Sequence, residues 1–573
     1  MTTTPTPFAL DQCAATCCPV KTQNAFNALI PHPQPVDTLE VEEFREVSHH
    51  RSNVMKFLLQ HHEESILDLS AITDPKERAL ACASAMARGV PIILYADLPT
   101  DWAHHRKGRA DVLVKDEHSK KPIYHPGIIK DRPVLSATTK NEQGQLTGSL
   151  TRPFLHQARL SANRYRIESQ ADSLLQLAHL WYMIQAAGYA STEAWGVVIG
   201  ADHEDRTNGC VISWMNLNDK IIRAFSYTGT HQWRKYSALS RYQHEHRFRV
   251  RVATHALQQS ATGRCPALVA SPVRIPECDM CEWWPECQSS LTDDISVKIE
   301  RSPLDAREIM TLRNLGISTI TDLTTMDIDQ LLPTYLPRVA HRAGAESRLR
   351  LAAHRGRLLA TGTRLERLSS GPIPLPSAPV EIDLDIETSA SNHVYLWGFL
   401  VHDRREKDSR PVYHPIHRFQ SLNTSKELDL AEEAAGWLME YILSLDDTPV
   451  LVWHYSTYEP STLRRFARTN EGSMVLAWLN SFAQTHFIDL FSTVKEHFFG
   501  VDGLGLKAMA SAAAGFSWRD TDPSGLNSQY WFSDAIHAPT PELRNAARTR
   551  ILEYNEDDVR ATWALRTWIR SLT

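Results

Sequence analysis

The sequence lacks the long hydrophobic runs of a membrane protein and the overall basic charge of many nucleic-acid-binding proteins. No apolar stretch reaches about 18 residues, the length that a membrane-spanning helix needs. The first residues do not show the charged-then-apolar order of a signal peptide. The 573 residues carry 61 basic and 67 acidic side chains, so a nucleic-acid-binding surface must be local. We expect a cytoplasmic protein of several domains that does not bind membranes.

Cysteine is scarce and unevenly placed, which argues against a disulfide framework. Only nine cysteines occur in 573 residues, and disulfides are rare in the cytoplasm. Six of them lie in two short segments, 13–18 and 278–287. The others stand singly among apolar neighbours, as packing residues do. The grouping predicts thiolates gathered around a metal.

Composition and periodicity divide the chain into parts of an α/β multidomain protein. Residues 1–300 mix helical and strand patterns and are expected to form one domain. Residues 301–370 begin with two short predicted helices around a Leu-Gly-Ile turn at 315–317, a helix-hairpin-helix-like pattern. Residues 371–379, rich in Pro, Ser and Gly, are expected to be a linker. Strand and helix patterns alternate in residues 380–573, which predicts a second α/β domain.

The middle segment ends in an arginine-rich stretch. Residues 336–368 contain eight arginines, two glutamates and neither lysine nor aspartate. Such a stretch is either a solvated helix face or a phosphate-binding surface, because the guanidinium fork matches phosphate oxygens. Arg348, Arg350, Arg355 and Arg357 are the candidate nucleic-acid contacts.

Acidic residues alternate with apolar ones at the start of the C-terminal domain. Asp383, Asp385 and Glu387 lie two residues apart, so a strand places them on one face. Carboxylates crowded in this way repel one another unless a cation lies between them. The hard oxygen ligands suit Mg²⁺ or Mn²⁺, and a pair of such ions about 4 Å apart supports phosphodiester cleavage.

Further acids follow along the chain. Glu459 lies at a predicted strand-to-helix junction, and Asp489 follows a short apolar run. Tyr554 and Asp558 are four residues apart in the predicted last helix, so they share one helix face. There a phenol can orient an attacking water while the carboxylate binds a metal.

This ordered set resembles the DEDD superfamily of ribonuclease H-like 3′→5′ exonucleases, in its DEDDy type. The match consists of Asp385-Ile386-Glu387 in the first motif and the Tyr-Asn-Glu-Asp-Asp run at 554–558 in the third. The second motif of that superfamily supplies Asp, whereas this chain has Glu459. The resemblance implies that Asp385, Glu387, Glu459 and Asp558 bind the metal ions and that Tyr554 orients the water. Asp489 is then a structural or supporting residue.

Three short sequence motifs restrict the resemblance to a smaller group of proteins. They are Tyr-Leu-Trp-Gly at 395–398, His-Tyr-Ser-Thr-Tyr-Glu at 454–459 and the run at 554–558. They look like the ribonuclease H-like half of bacterial RecB-like nucleases.

The spacing Cys278-x2-Cys281-x5-Cys287 leaves one metal position for a distant ligand. Zinc or an iron–sulfur cluster would fit three such thiolates. The pattern resembles the iron–sulfur nuclease domains of the Cas4 and AddB kind, which implies a 4Fe–4S cluster that joins the two ends of the domain. Cys18, followed by proline, is the chosen fourth ligand, with Cys17 and Cys13 as alternatives.

The same resemblance implies a PD-(D/E)xK, restriction-endonuclease-like fold for residues 1–300. Asp111 matches the first acid of that motif, and Lys130 matches its lysine, while His62 matches a helical histidine that can also bind metal. The acid expected two residues before the lysine is Ile128, which cannot bind metal. Gln176 matches a glutamine motif of the family. The N-terminal centre is therefore either a second active site or a remnant that binds DNA without cleaving it.

These patterns together predict a metal-dependent 3′→5′ DNA exonuclease of DNA repair or recombination. DEDD domains also trim RNA, so an RNA 3′-processing exonuclease is an alternative, and the sequence does not show which 2′ substituent is preferred. A non-catalytic nucleic-acid-binding partner of a helicase is a further alternative.

Overall fold

The structure is a computed structural model whose contacts divide the chain into two compact units. The first comprises 1–297, 305–315 and 329–346, and the second comprises 298–304, 316–328 and 347–573. The predicted boundary at residues 300 and 301 lies outside the described residues. Within the part of the chain described, no helix is both long and apolar enough to cross a bilayer. The described residues are 7–33, 40–119, 121–130, 134–137, 145–161, 165–166, 171–203, 210–226, 228–262, 269–298, 304–405 and 409–573.

Residues up to 298 combine strands and helices. The strands are β1 (Ile66–Asp68), β2 (Ile92–Asp97), β3 (Arg109–Lys115), β4 (Tyr124–Ile129), β5 (Ser136–Ala137), β6 (Leu146–Ser149), β7 (Arg159–Leu160), β8 (Tyr165–Arg166), β9 (Trp195–His203), β10 (Cys210–Asn216), β11 (Ile222–Phe225) and β12 (Trp233–Tyr236). The helices are α1 (Pro19–Ala25), α2 (Glu40–His61), α3 (Pro75–Arg88), α4 (Ala171–Ala186), α5 (Ala238–Thr262), α6 (Trp284–Ser290) and α7 (Ile295–Lys298).

A mixed sheet forms the centre of the first unit, in the order β1-β2-β3-β4-β9-β10-β6-β7. Its strands alternate between two buried faces because successive side chains point to opposite sides of a sheet. Ile92 and Leu94 pack in one cluster with Leu58 of α2, whereas Ile93 packs in another with Leu177 of α4. The sheet is therefore covered by helices on both faces, an α/β arrangement.

Short helices follow around the predicted Leu-Gly-Ile turn: α8 (Ala306–Asn314), α9 (Ile320–Thr325) and α10 (Ile328–Tyr335). Asp305 caps α8 by accepting a hydrogen bond from the backbone N–H of Glu308, and Thr319 caps α9 in the same way. Gly316, between these helices, has φ +84°, a conformation that glycine adopts without strain. The turn therefore lies where the sequence predicts it.

The C-terminal region is built around a second sheet. Its elements are α11 (Ala345–Ala360), β13 (Leu365–Arg367), β14 (Val380–Thr388), β15 (Val394–Asp403), β16 (Val412–His417), α12 (Thr424–Leu443), β17 (Val450–His454), α13 (Tyr458–Thr469), α14 (Met474–His486), β18 (Phe487–Asp489), α15 (Leu490–His497), β19 (Phe498–Gly500), α16 (Leu506–Ala514), α17 (Gly525–His537) and α18 (Pro541–Ser571).

The five-stranded sheet has the order β16-β15-β14-β17-β18. Its central strand β14 pairs antiparallel with β15 and parallel with β17. Ile382, Leu384 and Ile386 of β14 pack in one cluster with residues of α12, α13 and α14. The acidic residues between them face the other side of the sheet, where α18 contacts β14. The acid-apolar alternation therefore separates a hydrophobic face from a charged face.

The segment 371–379, predicted as a linker, forms no helix or strand. It is nevertheless packed, since Ile373 is buried in a cluster with Trp453 and Leu565. Apolar side chains at intervals thus attach this proline-rich stretch to the second unit.

Candidate metal centre

Three carboxylates converge where β14 meets α18. Asp385 and Glu387 of β14 and Asp558 of α18 have ligand oxygens that all lie within 4.8 Å of one another. The alternation of β14 presents the first two residues to the helix, and a buried face of α18 presents the third. Hard oxygen donors at this separation are the ligand type that Mg²⁺ and Mn²⁺ prefer.

Each carboxylate receives a hydrogen bond that orients it. Asn555 Nδ2 donates to Asp385 Oδ2 at 2.7 Å, and Ser528 Oγ donates to Glu387 Oε2 at 2.6 Å. The indole N–H of Trp518 donates to Asp558 Oδ1 at 2.7 Å. Such supporting hydrogen bonds fix the geometry of metal ligands.

Lys507 brings a positive charge to the same place. Its Nζ donates to the Tyr554 hydroxyl at 2.9 Å and lies 3.5 Å from Asp558 Oδ1. Tyr554 is almost fully buried, with its hydroxyl at the edge of the carboxylate group. Lys507 thus links the candidate water-orienting phenol to a candidate metal ligand.

Burial and mutual repulsion disfavour ionisation of the carboxylates in this group. Burial raises the pKa of Asp385 well above its ordinary value, and the charges of Glu387, Asp558 and Glu459 raise it further. Burial, followed by repulsion from Asp558, raises the pKa of Glu387 to about 8. The ammonium of Lys507 opposes both shifts without cancelling them. A bound divalent ion would allow these carboxylates to ionise together.

Glu459 lies beside this group at the start of α13. It is 4% exposed, and its Oε2 is 3.5 Å from Nδ1 of His454. That oxygen accepts no hydrogen bond from any described residue. Burial raises the pKa of Glu459, and its charge acts on Asp385. Glu459 thus lies outside the group of three carboxylates, and its only described neighbour within ion-pair distance is His454.

The turn before Glu459 is held in an unusual conformation. Ser456 has φ +95°, a region that residues other than glycine seldom adopt. Its N–H donates to Asp489 Oδ1 at 3.0 Å, and the same oxygen accepts the N–H of Phe491 at the start of α15. Asp489 therefore caps α15 and also holds the turn at Ser456 through a hydrogen bond, which is a structural role.

Asp383 does not join the carboxylate group, although it shares the strand face of Asp385. It is fully buried and accepts a hydrogen bond from Arg566 at 2.7 Å. Arg566 also pairs with Glu381, and its guanidinium lies 5.0 Å from the centre of the Trp453 ring. The alternation of residues in β14 predicts that Asp383 and Asp385 share a face. It does not predict that an arginine of α18, distant in sequence, pairs with Asp383.

The predicted cysteine ligands lie together in the first unit. Cys18, Cys278, Cys281 and Cys287 line one pocket, whose described lining does not include Cys17. Burial, followed by the neighbouring Cys18, Cys281 and Cys278, raises the pKa of Cys287 to about 11. Cys13 lies apart, where its Sγ accepts a hydrogen bond from Gln176 at 3.8 Å.

The predicted N-terminal centre brings an acid and a lysine near an arginine. Asp111 Oδ2 accepts the N–H of Ile129 at 2.8 Å, and its Oδ1 lies 3.4 Å from Nε of Arg51. Lys130 Nζ donates to Gln176 Oε1 at 3.2 Å.

Two other residues of that prediction bring no further ligand to Asp111. His62 Nε2 lies 2.8 Å from the Leu150 carbonyl oxygen. Ile128 is buried among apolar residues. Among the described residues no group of three metal ligands forms around Asp111.

The arginine-rich segment is largely helical. Arg348, Arg350, Arg355 and Arg357 lie on α11, on two sides of the stripe that buries Leu349, Ala352 and Ala353. Arg350 and Arg357 are exposed, whereas Arg348 and Arg355 are half-buried.

The comparison with protein families identifies the domain that contains the carboxylate group. A family model described as the RNase_H superfamily matches residues 383–570. This match spans Asp385, Glu387 and Asp558, and the C-terminal part of the chain is an RNase H-like domain. Searches of curated proteins and of solved structures gave no match. The fold and site are compatible with a metal-dependent nuclease that binds nucleic acid.

Proposed function

We propose that this protein is a 3′→5′ exonuclease that hydrolyses DNA at its C-terminal RNase H-like domain and acts in DNA repair or recombination. The observation that carries the proposal is the convergence of Asp385, Glu387 and Asp558 within 4.8 Å. The raised pKa values of Asp385 and Glu387 support the proposal, because perturbed carboxylates cluster at functional sites. Glu459, whose buried Oε2 lies 3.5 Å from His454 Nδ1, would complete the ligand set.

The surrounding residues suit this chemistry. Bound divalent ions would activate a water and stabilise the leaving oxygen of a phosphodiester. Asn555, Ser528 and Trp518 hold the carboxylates in one arrangement through hydrogen bonds to them. The Tyr554 hydroxyl would orient the attacking water, and Lys507 fixes that hydroxyl by donating to it.

The direct test is degradation of 5′-labelled single-stranded DNA and RNA with Mn²⁺ or Mg²⁺. Wild type should give a ladder of shortened DNA, and Asp385→Asn should abolish it while keeping the shape of the side chain. Glu471→Gln is the matched control, because Glu471 is an exposed acid of the same domain outside the site.

The DNA and RNA substrates of this test distinguish the DNA exonuclease from the two alternative functions. Faster trimming of RNA than of DNA would assign the same site to RNA processing. Retention of binding without cleavage of either substrate would favour the non-catalytic partner of a helicase and reject the exonuclease.

We further infer that the N-terminal domain has the RecB-like fold and grips DNA without cutting it. Ile128 replaces the acid of the motif, and the Arg51 guanidinium lies where it neutralises Asp111. Lys130→Ala should therefore leave the cleavage pattern unchanged and weaken DNA binding. Loss of a separate endonucleolytic product in Lys130→Ala would reveal a second active centre, in which Asp111 and His62 would then bind metal.

The arginines of α11 are proposed as phosphate contacts. Arg350 and Arg357 project from the exposed side of the helix and would meet a nucleic-acid backbone. Each charge removed should lower the salt dependence of DNA binding by about one counterion.

The cysteine pocket is proposed to hold a 4Fe–4S cluster, with zinc as the alternative. Four thiols from the two ends of the first unit converge there, and thiolates suit either group. Visible absorbance, iron and labile sulfide of the purified protein distinguish the two. Cys18→Ser should lose the cofactor, and Cys17→Ser, its neighbour outside the pocket lining, should keep it.

A further inference from the structure

A second cavity lies in the first unit, away from the cysteine pocket. It has a volume of about 620 Å³ and lies among α4, α5 and the loop 104–106. That volume is in the range of small-molecule sites. Arg106, Arg247, His104 and His105 line it, and no carboxylate belongs to the lining that the structure describes. Such a wall favours an anionic ligand.

Arg106 is fixed in place before any ligand arrives. Its Nη1 donates to Asp101 Oδ2 at 2.8 Å, and its Nε donates to the Tyr242 hydroxyl at 3.2 Å. The guanidinium also lies 4.8 Å from the centre of the Tyr182 ring. Burial alone would raise the pKa of Asp101, but hydrogen bonds from His104 and Arg106 lower it below its ordinary value. The ionised carboxylate therefore anchors the arginine.

The loop that carries Arg106 has an unusual backbone conformation at His105. His105 has φ +57°, a left-handed conformation that costs free energy in a residue with a side chain. Its Nδ1 hydrogen-bonds the Phe8 carbonyl oxygen at 2.9 Å, and its ring stacks on that of Phe8. Packing thus holds a strained residue at the rim of the cavity, as is common at binding sites.

Uncharged side chains form a hydrogen-bonded network next to Arg106. The Tyr242 hydroxyl lies 2.8 Å from Nδ1 of His179, and His246 Nε2 lies 2.8 Å from the His104 carbonyl oxygen. Burial lowers the pKa of His179 to about 3 and that of His246 to about 4. The two histidines are uncharged at neutral pH and Asp101 balances the charge of Arg106, so the net positive charge at the cavity comes from Arg247, while Arg106 offers guanidinium donors.

We propose that this cavity binds the phosphomonoester of a nucleotide, with Arg106 and Arg247 on the phosphate. The volume exceeds what a lone phosphate fills, and the remaining wall suits a nucleoside. Gln185 and Gln243 offer amide donors and acceptors, and the Tyr182 ring offers an aromatic surface. Among the described residues Arg247 is exposed and forms no ion pair, so it is free to meet the ligand. The proposal does not depend on the C-terminal metal centre.

Two kinds of ligand carry such a phosphomonoester: a free nucleoside monophosphate and the 5′-phosphorylated end of a nucleic-acid strand. The test measures binding by calorimetry of the full chain in EDTA, in an Asp385→Asn background so that the C-terminal site neither cleaves nor holds metal. The probes are dTMP, thymidine, and a short oligothymidylate with either a 5′-phosphate or a 5′-hydroxyl. Arg247→Glu is the test variant.

Arg251→Glu is the matched control, because Arg251 is exposed on the same helix and lies outside the cavity lining. Phosphate-bearing probes should bind more tightly than their phosphate-free partners, and Arg247→Glu should weaken them by about tenfold or more, as loss of a charge-assisted phosphate contact does. Preference for the phosphorylated strand would identify a strand end as the ligand, and preference for dTMP would identify a free nucleotide. Equal binding of dTMP and thymidine, or equal losses in Arg247→Glu and Arg251→Glu, would overturn the proposal.

Discussion

The carboxamide of Asn555 packs directly on Gly398, the residue that pairs with Asp385 across the sheet. A Cβ built on Gly398 would lie 1.8 Å from Asn555 Oδ1. The absent side chain lets Asn555 reach over β15 and donate to Asp385, while its Oδ1 accepts the Tyr413 hydroxyl at 2.7 Å. One glycine therefore sets the position of a candidate metal ligand from the neighbouring strand.

Gly398→Ala should displace Asn555 and reduce the proposed exonuclease rate, because Asp385 loses its orienting hydrogen bond. We expect a loss of about tenfold to a hundredfold, the range found when a residue supporting a metal ligand is changed. The measurement is kcat on labelled DNA together with Mn²⁺ affinity. Gly436→Ala is the control, since nothing lies within 4 Å of a Cβ there and alanine favours the α12 helix. Equal rates in the two variants would contradict the assigned role of Gly398.

Lys507→Met should lower the exonuclease rate without unfolding the domain. The substitution removes the ammonium that hydrogen-bonds Tyr554 and neutralises part of the charge on Asp558. We expect kcat to fall about a hundredfold, within the usual range for a residue that supports proton transfer or charge stabilisation. Lys507→Arg should recover part of the rate. A change confined to KM would show that Lys507 binds substrate and does not orient the hydroxyl.

Metal-induced stabilisation should increase with pH. The pKa of Glu387 rises from the ordinary 4.5 to about 8 in the folded protein, chiefly through burial. A folded state with the higher pKa retains the proton, so the metal-free protein loses stability as pH rises through this window. Mn²⁺ should reverse that loss by pairing the ionised carboxylates. The rise of Tm with Mn²⁺ should be small near about pH 5 and should grow toward about pH 8.

The same thermal titration with Asp385→Asn tests the origin of the effect. That variant removes one charge from the group, so its metal-free form should depend less on pH and should gain less from Mn²⁺. A Tm increase that does not change with pH in wild type would argue against cation binding at these carboxylates.

Ser456→Gly should stabilise the protein. Ser456 adopts φ +95°, and strain of this kind costs about 1 to 3 kcal/mol in a residue with a Cβ. Glycine removes the strain at an entropic cost of about 0.5 to 1 kcal/mol. We expect the free energy of unfolding to rise by about 1 kcal/mol, measured by urea denaturation. Ser456→Ala should not show the gain, because it keeps the Cβ.

Local patterns were enough to predict part of the carboxylate group that forms the candidate metal centre. The period of two in β14 placed Asp385 and Glu387 on one face, and the i, i+4 spacing placed Tyr554 with Asp558 on another. Lys507, Ser528 and Trp518 carry no such signal. They reach the centre from α16, α17 and the connection between them, so only the tertiary fold shows their role.

The alternation of acidic and apolar residues in β14 also could not show which acids join the carboxylate group and which form ion pairs. Asp383 and Asp385 have the same strand environment in the sequence, yet one meets Arg566 and the other meets Asp558. The difference is set by which turn of α18 lies over each residue. The RecB-like fold of residues 1–300 and the four-cysteine cofactor stay predictions.

The ion pairs of Arg566 and Arg570 with Glu381 and Asp383 join β14 and α18, the two elements that carry the candidate metal ligands. Arg566 and Arg570 lie one helical turn apart on α18, so a slip of the helix along β14 by one turn would leave one of these arginines without its acidic partner, at a cost of several kcal/mol where the acid stays buried. Only the observed alignment of α18 and β14 pairs both arginines with these acids. The same pairing of helix and strand sets the distance between Asp385 and Asp558, so a change at Arg566 would alter the separation of two carboxylates it does not touch.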